Sequence, residues 1–181
     1  YSRHSLVDRY KIVKPENWTK MTVDQAKVKQ NRRYCQGLIM YPSAHDITPS
    51  ILNESLGVLR KLLEAGNYVL IVSKPHRECI ETICDTFEEY KRQILFRFTI
   101  GAVNDEVLSF WEPLAPKFQE RLHCLQYAYT KGFATSVSCE PYLDTSVENT
   151  YTACRKFITD SFWIGKLRHF NSRVKLDDAT A

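Results

Sequence analysis

The chain has no C-x-x-C pair or comparable ligand spacing, although it carries six cysteines, Cys35, Cys79, Cys84, Cys124, Cys139 and Cys154. Cys79 and Cys84 lie five apart on an expected helix and so do not share a face. Scattered in this way, the thiols read as reduced core residues of a cytoplasmic protein, and by themselves they build no metal site. No apolar run approaches the roughly 20 residues that a membrane-spanning helix needs, and no signal-peptide pattern is visible in these residues. No membrane partner is expected. Internal repeats and low-complexity segments are absent too. Charge of one sign is weak: the net is +4, with Lys and Arg well mixed with Asp and Glu. That alone does not argue for nucleic acid, whose footprint needs charge clustered on one face.

What is present is an ordinary globular composition, 44% apolar over 181 residues, enough for one domain with a real core. The first thirty-three residues are the most basic part, with Arg9, Lys11, Lys14, Lys20, Lys27, Lys29, Arg32 and Arg33. They read first as a solvated helix and loops, and second as a phosphate-contacting edge. The chain opens on Tyr1-Ser2-Arg3 without a methionine, which suggests a piece of something longer.

The central stretch is Asn67 to Pro75. Tyr68 to Val72 is an unbroken, β-branched apolar run that suits a strand covered on both faces. Pro75 stops it, having no N–H for a ladder. Around it the pattern alternates. Tyr1 to Arg9 reads as loop or helix start, Pro15 to Trp18 as a turn, and Thr22 to Arg33 as a polar helix capped near Thr22 or Asp24. Gly37 to Tyr41 is a buried strand. A helix follows, capped by Thr48, with Leu52, Leu56, Leu59 and Leu63 in one stripe and Gly66 as its stop. Glu78 to Lys91 is the next helix, with Ile80, Ile83, Cys84 and Phe87 inward, and Leu95 to Thr99 the third strand. A long loop then carries Trp111, Glu112, Pro113 and Pro116, the kind of loop that is usually functional. A helix from Lys117 to Lys131 buries Phe118, Leu122 and Leu125 and stops at Gly132. Ala134 to Ser138 is the fourth strand, Val147 to Ile158 a helix, and Phe162 to Gly165 the fifth strand. Residues 1–170 form the core and 171–181 a polar tail. Alternating β and α elements predict right-handed crossovers and a parallel sheet or barrel.

In a parallel β/α sheet every strand end lies on one edge, so distant residues converge there. The first strand delivers Ser43, His45 and Asp46, the second Ser73 and Lys74. The third delivers Thr99, with Arg97 two before it, and the fourth Ser138 and Glu140. A lysine, an arginine, two carboxylates and several hydroxyls suit a ligand with both an ammonium and a carboxylate. Singly, each has a plainer reading. Lys74 could snorkel to the rim, Asp46 could lead into a helix, Arg97 could pair structurally with Glu140, and His45 could be solvated.

The segments M-Y-P-S-A-H-D-I-T-P, Y-V-L-I-V-S-K-P, F-R-F-T-I-G, F-W-E-P-L-A-P with Arg121-Leu122, V-S-C-E-P and F-W-I-G-K-L, in that order, resemble the radical S-adenosylmethionine (SAM) enzymes related to spore photoproduct lyase. The resemblance runs from Tyr1 to about Leu167. It implies a partial (β/α)6 TIM-like barrel of parallel strands, of which five are visible here. The first strand and its cysteine loop would be missing, leaving apolar surface uncovered on the first strand and helix. It also implies lyase-like chemistry: a 4Fe-4S cluster, fed by an external electron donor, cleaves SAM to methionine and a 5′-deoxyadenosyl radical. The substrate is unknown from these residues; relatives of the lyase act on DNA, so the resemblance implies DNA only as one candidate. Tyr1 then stands where the family has an aromatic residue after its third cluster cysteine, and is the catalytic candidate. Ser43 and Asp46 would hold the methionyl ammonium, Lys74 the methionyl carboxylate or the ribose. Thr99 keeps a hydroxyl where serine is usual, and Glu140 matches an acidic residue without a specified role. The cluster cysteines are absent from these residues, so this polypeptide alone is expected to hold no cluster. Two other readings stand beside this one. One is a metal-free β/α lyase or aldolase with Lys74 as Schiff-base residue. The other is a non-catalytic module that binds nucleic acid through the basic N-terminal third.

Overall fold

Short β-branched or aromatic runs, each closed by proline, glycine or a polar turn, become five parallel strands in a computed structural model that describes residues 22–167 together with 11 and 14. The expected features at Tyr1 to Arg9, at Pro15 to Trp18 and in the polar tail lie outside the described residues. The strands are β1 (Leu38–Tyr41), β2 (Tyr68–Ser73), β3 (Ile94–Thr99), β4 (Ala134–Cys139) and β5 (Phe162–Ile164). They form one sheet in the order β1-β2-β3-β4-β5, every pair parallel. Between them run α2 (Leu52–Glu64), α3 (Arg77–Thr86), α5 (Phe118–Thr130) and α6 (Val147–Cys154), while α1 (Gln25–Lys29) precedes β1 and α4 (Asp105–Trp111) precedes α5. No helix of the described residues is long and apolar enough to cross a membrane.

Register and strand period divide the sheet into two unlike faces. Val69 and Ile71 of β2 stand beside Ile94 and Phe96 of β3, and Val137 of β4 stands beside Phe98. All of these are at most 2% exposed. They face the helices, where Leu59, Leu63, Ile80, Ile83, Phe87, Cys124 and Leu125 complete a single core. Phe96 stacks on Phe98 at 5.3 Å and meets Phe133 edge-on at 5.4 Å. Burying each such ring contributes roughly 1.5–3 kcal/mol before chain entropy is counted. The alternate residues look the other way. Leu38 and Met40 are 52% and 50% exposed, so β1 is half-covered rather than buried. The reason is visible in the pairing: β1 is an edge strand, and no helix of the described residues lies over that face. Tyr68 is likewise open, and only the middle of β2 is covered on both sides.

Other expectations are corrected by local chemistry. The polar helix expected over 22–33 shrinks to α1, with Asp24 accepting the Lys27 N–H at 3.1 Å. It buries no residue, so little favours extending it. Thr48 stands at the start of a 3-10 turn, Pro49–Ile51, but bonds to the Ser50 hydroxyl instead of capping. The helix expected to reach Lys91 ends at Thr86 and continues as the 3-10 segment Glu88–Gln93. The long loop holds α4, capped by Asn104, which accepts from Glu106 and Val107. With Leu108 as its one buried residue, α4 has no stripe to betray it. The stops at Gly66 and Gly132 hold, both at positive φ, where a side chain would be strained.

Helices α3 and α5 are laced on their outer surface. Glu81 accepts from Arg77 at 2.9 Å and from His123 at 2.8 Å, while Asp85 accepts from Tyr127 at 2.9 Å and meets Lys131 at 2.7 Å. The Glu81 carboxyl is held below its usual range, first by the His123 hydrogen bond and then by that of Arg77. A lowered folded-state value means stability that is complete above the ordinary carboxylate value, about 4.3, and is lost as pH falls through the lowered one. Urea unfolding from about pH 6 to about pH 3 should therefore show Glu81→Gln converging on the parent in acid. A difference that stays constant over this range would mean that the carboxylate does not carry the link.

Candidate functional site

Proline and polar residues follow each apolar run, so the polar side chains of the loops collect where the strands end. Asp46 organises the first corner. Its Oδ1 accepts the Lys74 N–H at 2.7 Å and the Ser73 hydroxyl at 3.3 Å, and the Ser73 Oγ accepts the Ile47 N–H at 3.1 Å. This fastens the loop after β1 to the end of β2. Asp46 is thus not a helix-leading cap: one of its oxygens is committed to the backbone of the next strand. The other, Oδ2, stands 3.5 Å from the Lys74 Nζ. That ammonium also lies 3.9 Å from Glu112 Oε1, so it sits between two carboxylates.

Glu112 and Arg121 complete the edge. Arg121 has no exposed surface, an expensive place for a guanidinium unless its donors are met. Its Nε–H donates to the Pro116 carbonyl at 2.7 Å and its Nη1–H to the Thr99 carbonyl at 3.1 Å. Nη2 lies 2.6 Å from Glu112 Oε2, a charge contact whose N–H bonds do not line up with the oxygen. Asp46, Lys74, Glu112 and Arg121 thus form one line from the loop after β1 to the end of β3. Reading strand ends alone gives neither Glu112 nor Arg121 a role. A signal existed: Arg121 lies three after Phe118 and four before Leu125, on the stripe that α5 buries.

Ser43, Asp46, Lys74 and Thr99 come together. With His45, Met40 and Val72 they line a cavity of about 210 Å³. A second cavity, about 640 Å³, shares Asp46 and Lys74 and is walled by Trp111 to Pro116. The first lies below the ~300 Å³ at which small-molecule sites usually begin; the second exceeds it. His45 is exposed, its Nδ1 3.0 Å from the Asp46 carbonyl. Glu140 does not line either cavity. It accepts the Ser138 hydroxyl at 3.1 Å and lies against Gly165, where an added Cβ would stand 2.7 Å from its Oε1. The expected Arg97–Glu140 pair is not formed, because Glu140 turns toward β5. Arg97 instead donates to Ser136 Oγ at 3.1 Å and stacks on Trp163. Tyr1 and several of the basic N-terminal residues lie outside the described residues.

The thiols do not fit an iron–sulfur cluster, which needs thiolates gathered around it. Cys79, Cys84, Cys124, Cys139 and Cys154 are buried, Cys35 exposed. Burial pushes Cys79 and Cys139 up to about 11, Cys84 and Cys154 up to about 12, and Cys124 further in the same direction. Among the described residues no group of three or more His, Cys, Asp or Glu could hold a metal ion.

No protein-family model matches this chain, and no solved structure matches it. The chain is similar to the uncharacterized protein ORF301 of Acidianus two-tailed virus, 30% identical over 132 residues. That match covers 72% of this chain and 42% of the viral protein, so the chain spans less than half the length of the relative it matches.

Two outcomes follow from this geometry. Glu112→Gln leaves a buried guanidinium without its counter-charge and should lower stability by about 3 kcal/mol in urea unfolding. Adding Arg121→Met should restore part of that loss, because the uncompensated charge is gone. A single variant as stable as the parent would show that the pair does not hold the edge together. Separately, iodoacetamide should label Cys35 in the native chain and the five buried thiols only after unfolding, as read by mass spectrometry. Rapid native labelling of any buried thiol would contradict the packing around it.

Proposed function

We propose that this chain is the SAM-positioning part of a radical SAM enzyme related to spore photoproduct lyase, built on a partial (β/α)6 barrel. The observation that carries the proposal is the convergence of Ser43, Asp46, Lys74 and Thr99, from three strand ends, on one cavity. A consecutive, all-parallel strand order is the winding that such a barrel requires, with no reversal between the described strands. SAM carries an ammonium and a carboxylate on its methionyl end. Asp46 Oδ2 is free of backbone bonds and suits the ammonium. Lys74 Nζ suits the carboxylate, and the Thr99 hydroxyl is a further donor. In the unliganded arrangement Asp46 and Lys74 hold each other, and the zwitterion would replace each partner with a group of the same sign. Lys74 is partly exposed and lies within 4 Å of two carboxylates, not in the desolvated apolar pocket that a Schiff-base lysine needs. That favours the SAM reading over an aldolase.

The chemistry of the whole enzyme would be supplied by its cluster, for which these cysteines offer no ligand set. What this chain contributes is orientation. The 111–116 segment walls the larger cavity. The buried thiols fit a reducing, cytoplasmic setting.

Amide shifts of the ¹⁵N-labelled chain on titration with SAM test the reading. Shifts are expected at 43–46, 74 and 99, reproduced by methionine and not by adenosine. Lys74→Ala should weaken binding roughly ten- to a hundredfold, the loss of one charge-assisted hydrogen bond. Asp46→Asn is the better partner variant, because Asp46→Ala also unfastens the loop. Shifts elsewhere, or binding by Lys74→Ala equal to the parent, would sink the assignment.

A further inference from the structure

The face of the sheet that carries Thr99 holds a second polar station, outside the strand-end cavity and not used by the methionyl residues. Arg97 lies two residues before Thr99 on β3, about 6.6 Å along the strand, with its side chain on the same face. Its neighbours in the sheet are Val72 of β2 and Ser136 of β4. The side chain is 19% exposed, and it is held from two directions. Its Nε–H donates to Ser136 Oγ at 3.1 Å, and its guanidinium carbon sits 4.7 Å from the centre of the Trp163 ring. Both supports are themselves fixed. Ser136 Oγ is 2.8 Å from the Ser161 carbonyl, and the Trp163 Nε1–H donates to Ser161 Oγ at 2.8 Å.

The guanidinium is therefore oriented before any ligand arrives, while its outer donors have almost nothing to do. Among the described residues neither Nη makes a hydrogen bond, and the nearest carboxylate, Asp160 Oδ2, is at the 4.0 Å limit of an ion pair. Asp160 already accepts the Ser161 hydroxyl at 2.5 Å. An arginine placed to balance Asp160 would approach it more closely. The ring is informative as well. Trp163 is 47% exposed although Arg97 covers one face of it, so much of its free surface is available to a flat group. A planar fork with free N–H donors recognises a carboxylate or phosphate in bidentate fashion, and an indole face accepts an aromatic ring.

We infer that Arg97 and Trp163 form a subsite for a flat anionic ligand, an aromatic ring bearing a carboxylate or phosphate. The oxyanion takes the Nη donors and the ring lies against the indole. Asp160 opposes the anion from the side and sets its affinity. This inference does not depend on the SAM reading, since neither residue belongs to the methionyl group.

Tryptophan fluorescence of the full chain, titrated with benzoate, adenosine monophosphate, inorganic phosphate and adenosine, tests it, with Trp163→Phe identifying the signal. The ring-bearing anions should perturb Trp163, whereas phosphate and adenosine, each lacking one half of the ligand, should bind at least tenfold more weakly. If benzoate and the nucleotide differ, the stronger names the oxyanion. Arg97→Lys keeps the charge but loses the fork and should weaken binding about tenfold or more. Asp160→Asn should strengthen it several-fold. These opposite signs separate a binding site from a structural ion pair, for which both variants would lower stability and leave binding unmoved. Arg97→Gln serves if the lysine variant folds poorly. No response of Trp163 to any ring-bearing anion at millimolar concentration, or equal binding by parent and Arg97→Lys, overturns the inference.

Discussion

A guanidinium with no exposed surface is the constraint to which the ligand edge answers. Arg121 rises from α5 into the space beneath the strand ends, where water cannot reach it. Left alone there, its charge would cost several kcal/mol. The Pro116 carbonyl and the Glu112 carboxylate, from the 111–116 segment, and the Thr99 carbonyl, from the end of β3, meet it. Satisfying one side chain therefore sets where α5, the 111–116 segment and the end of β3 stand relative to one another. Glu112 passes the constraint on to Lys74, and Lys74 to Asp46. Buried ion pairs are weak sources of net stability, but they discriminate between alternative packings of loops that have little apolar surface of their own.

The second organising fact is that the helices cover one face of the sheet. Consecutive right-handed crossovers carry each connection over the same side, so residues of one parity on β2, β3 and β4 enter the core. Residues of the other parity form a second surface with its own gradient. Leu38, Met40 and Tyr68 leave its β1 side apolar and open, while on its β4–β5 side Arg97 and Trp163 are partly exposed and Ser136 and Ser138 are buried. A strand period of two thus gives one set of residues to the helix-covered core and its neighbours to the opposite face. Arg97, between Phe96 and Phe98 in sequence, is the clearest instance: the two rings are fully buried on the helix side, while the Arg97 side chain lies on the opposite face, 19% exposed.

How much of this was legible varied with the strength of the local signal. Strand β2 forms where expected, running one residue past the apolar run to Ser73, because a β-branched run closed by a proline leaves the backbone few alternatives. The inward residues of α3 and the glycine stops of α2 and α5 were equally readable, since apolar spacing and positive φ are local properties. Helix α4 was not, having one buried residue and appearing in sequence as part of a loop. The half-exposed state of β1 was hidden for another reason. An apolar run shows that a strand will form, but not whether both of its faces find cover.

The sequence by itself determined the alternation of strands and helices, the parallel arrangement and the common edge at which Ser43, Asp46, Lys74 and Thr99 meet. Each of these follows from periodicity, turn chemistry and the handedness of the chain, which act over a few residues. Only the tertiary structure decided which polar groups pair. It turned Glu140 away from Arg97 toward Gly165, committed one oxygen of Asp46 to the Lys74 backbone, and buried Arg121 against Glu112. Charged side chains have long reach and several partners of similar energy. The choice between those partners rests on burial and on distances of a few ångströms between residues far apart in sequence, which no local pattern encodes.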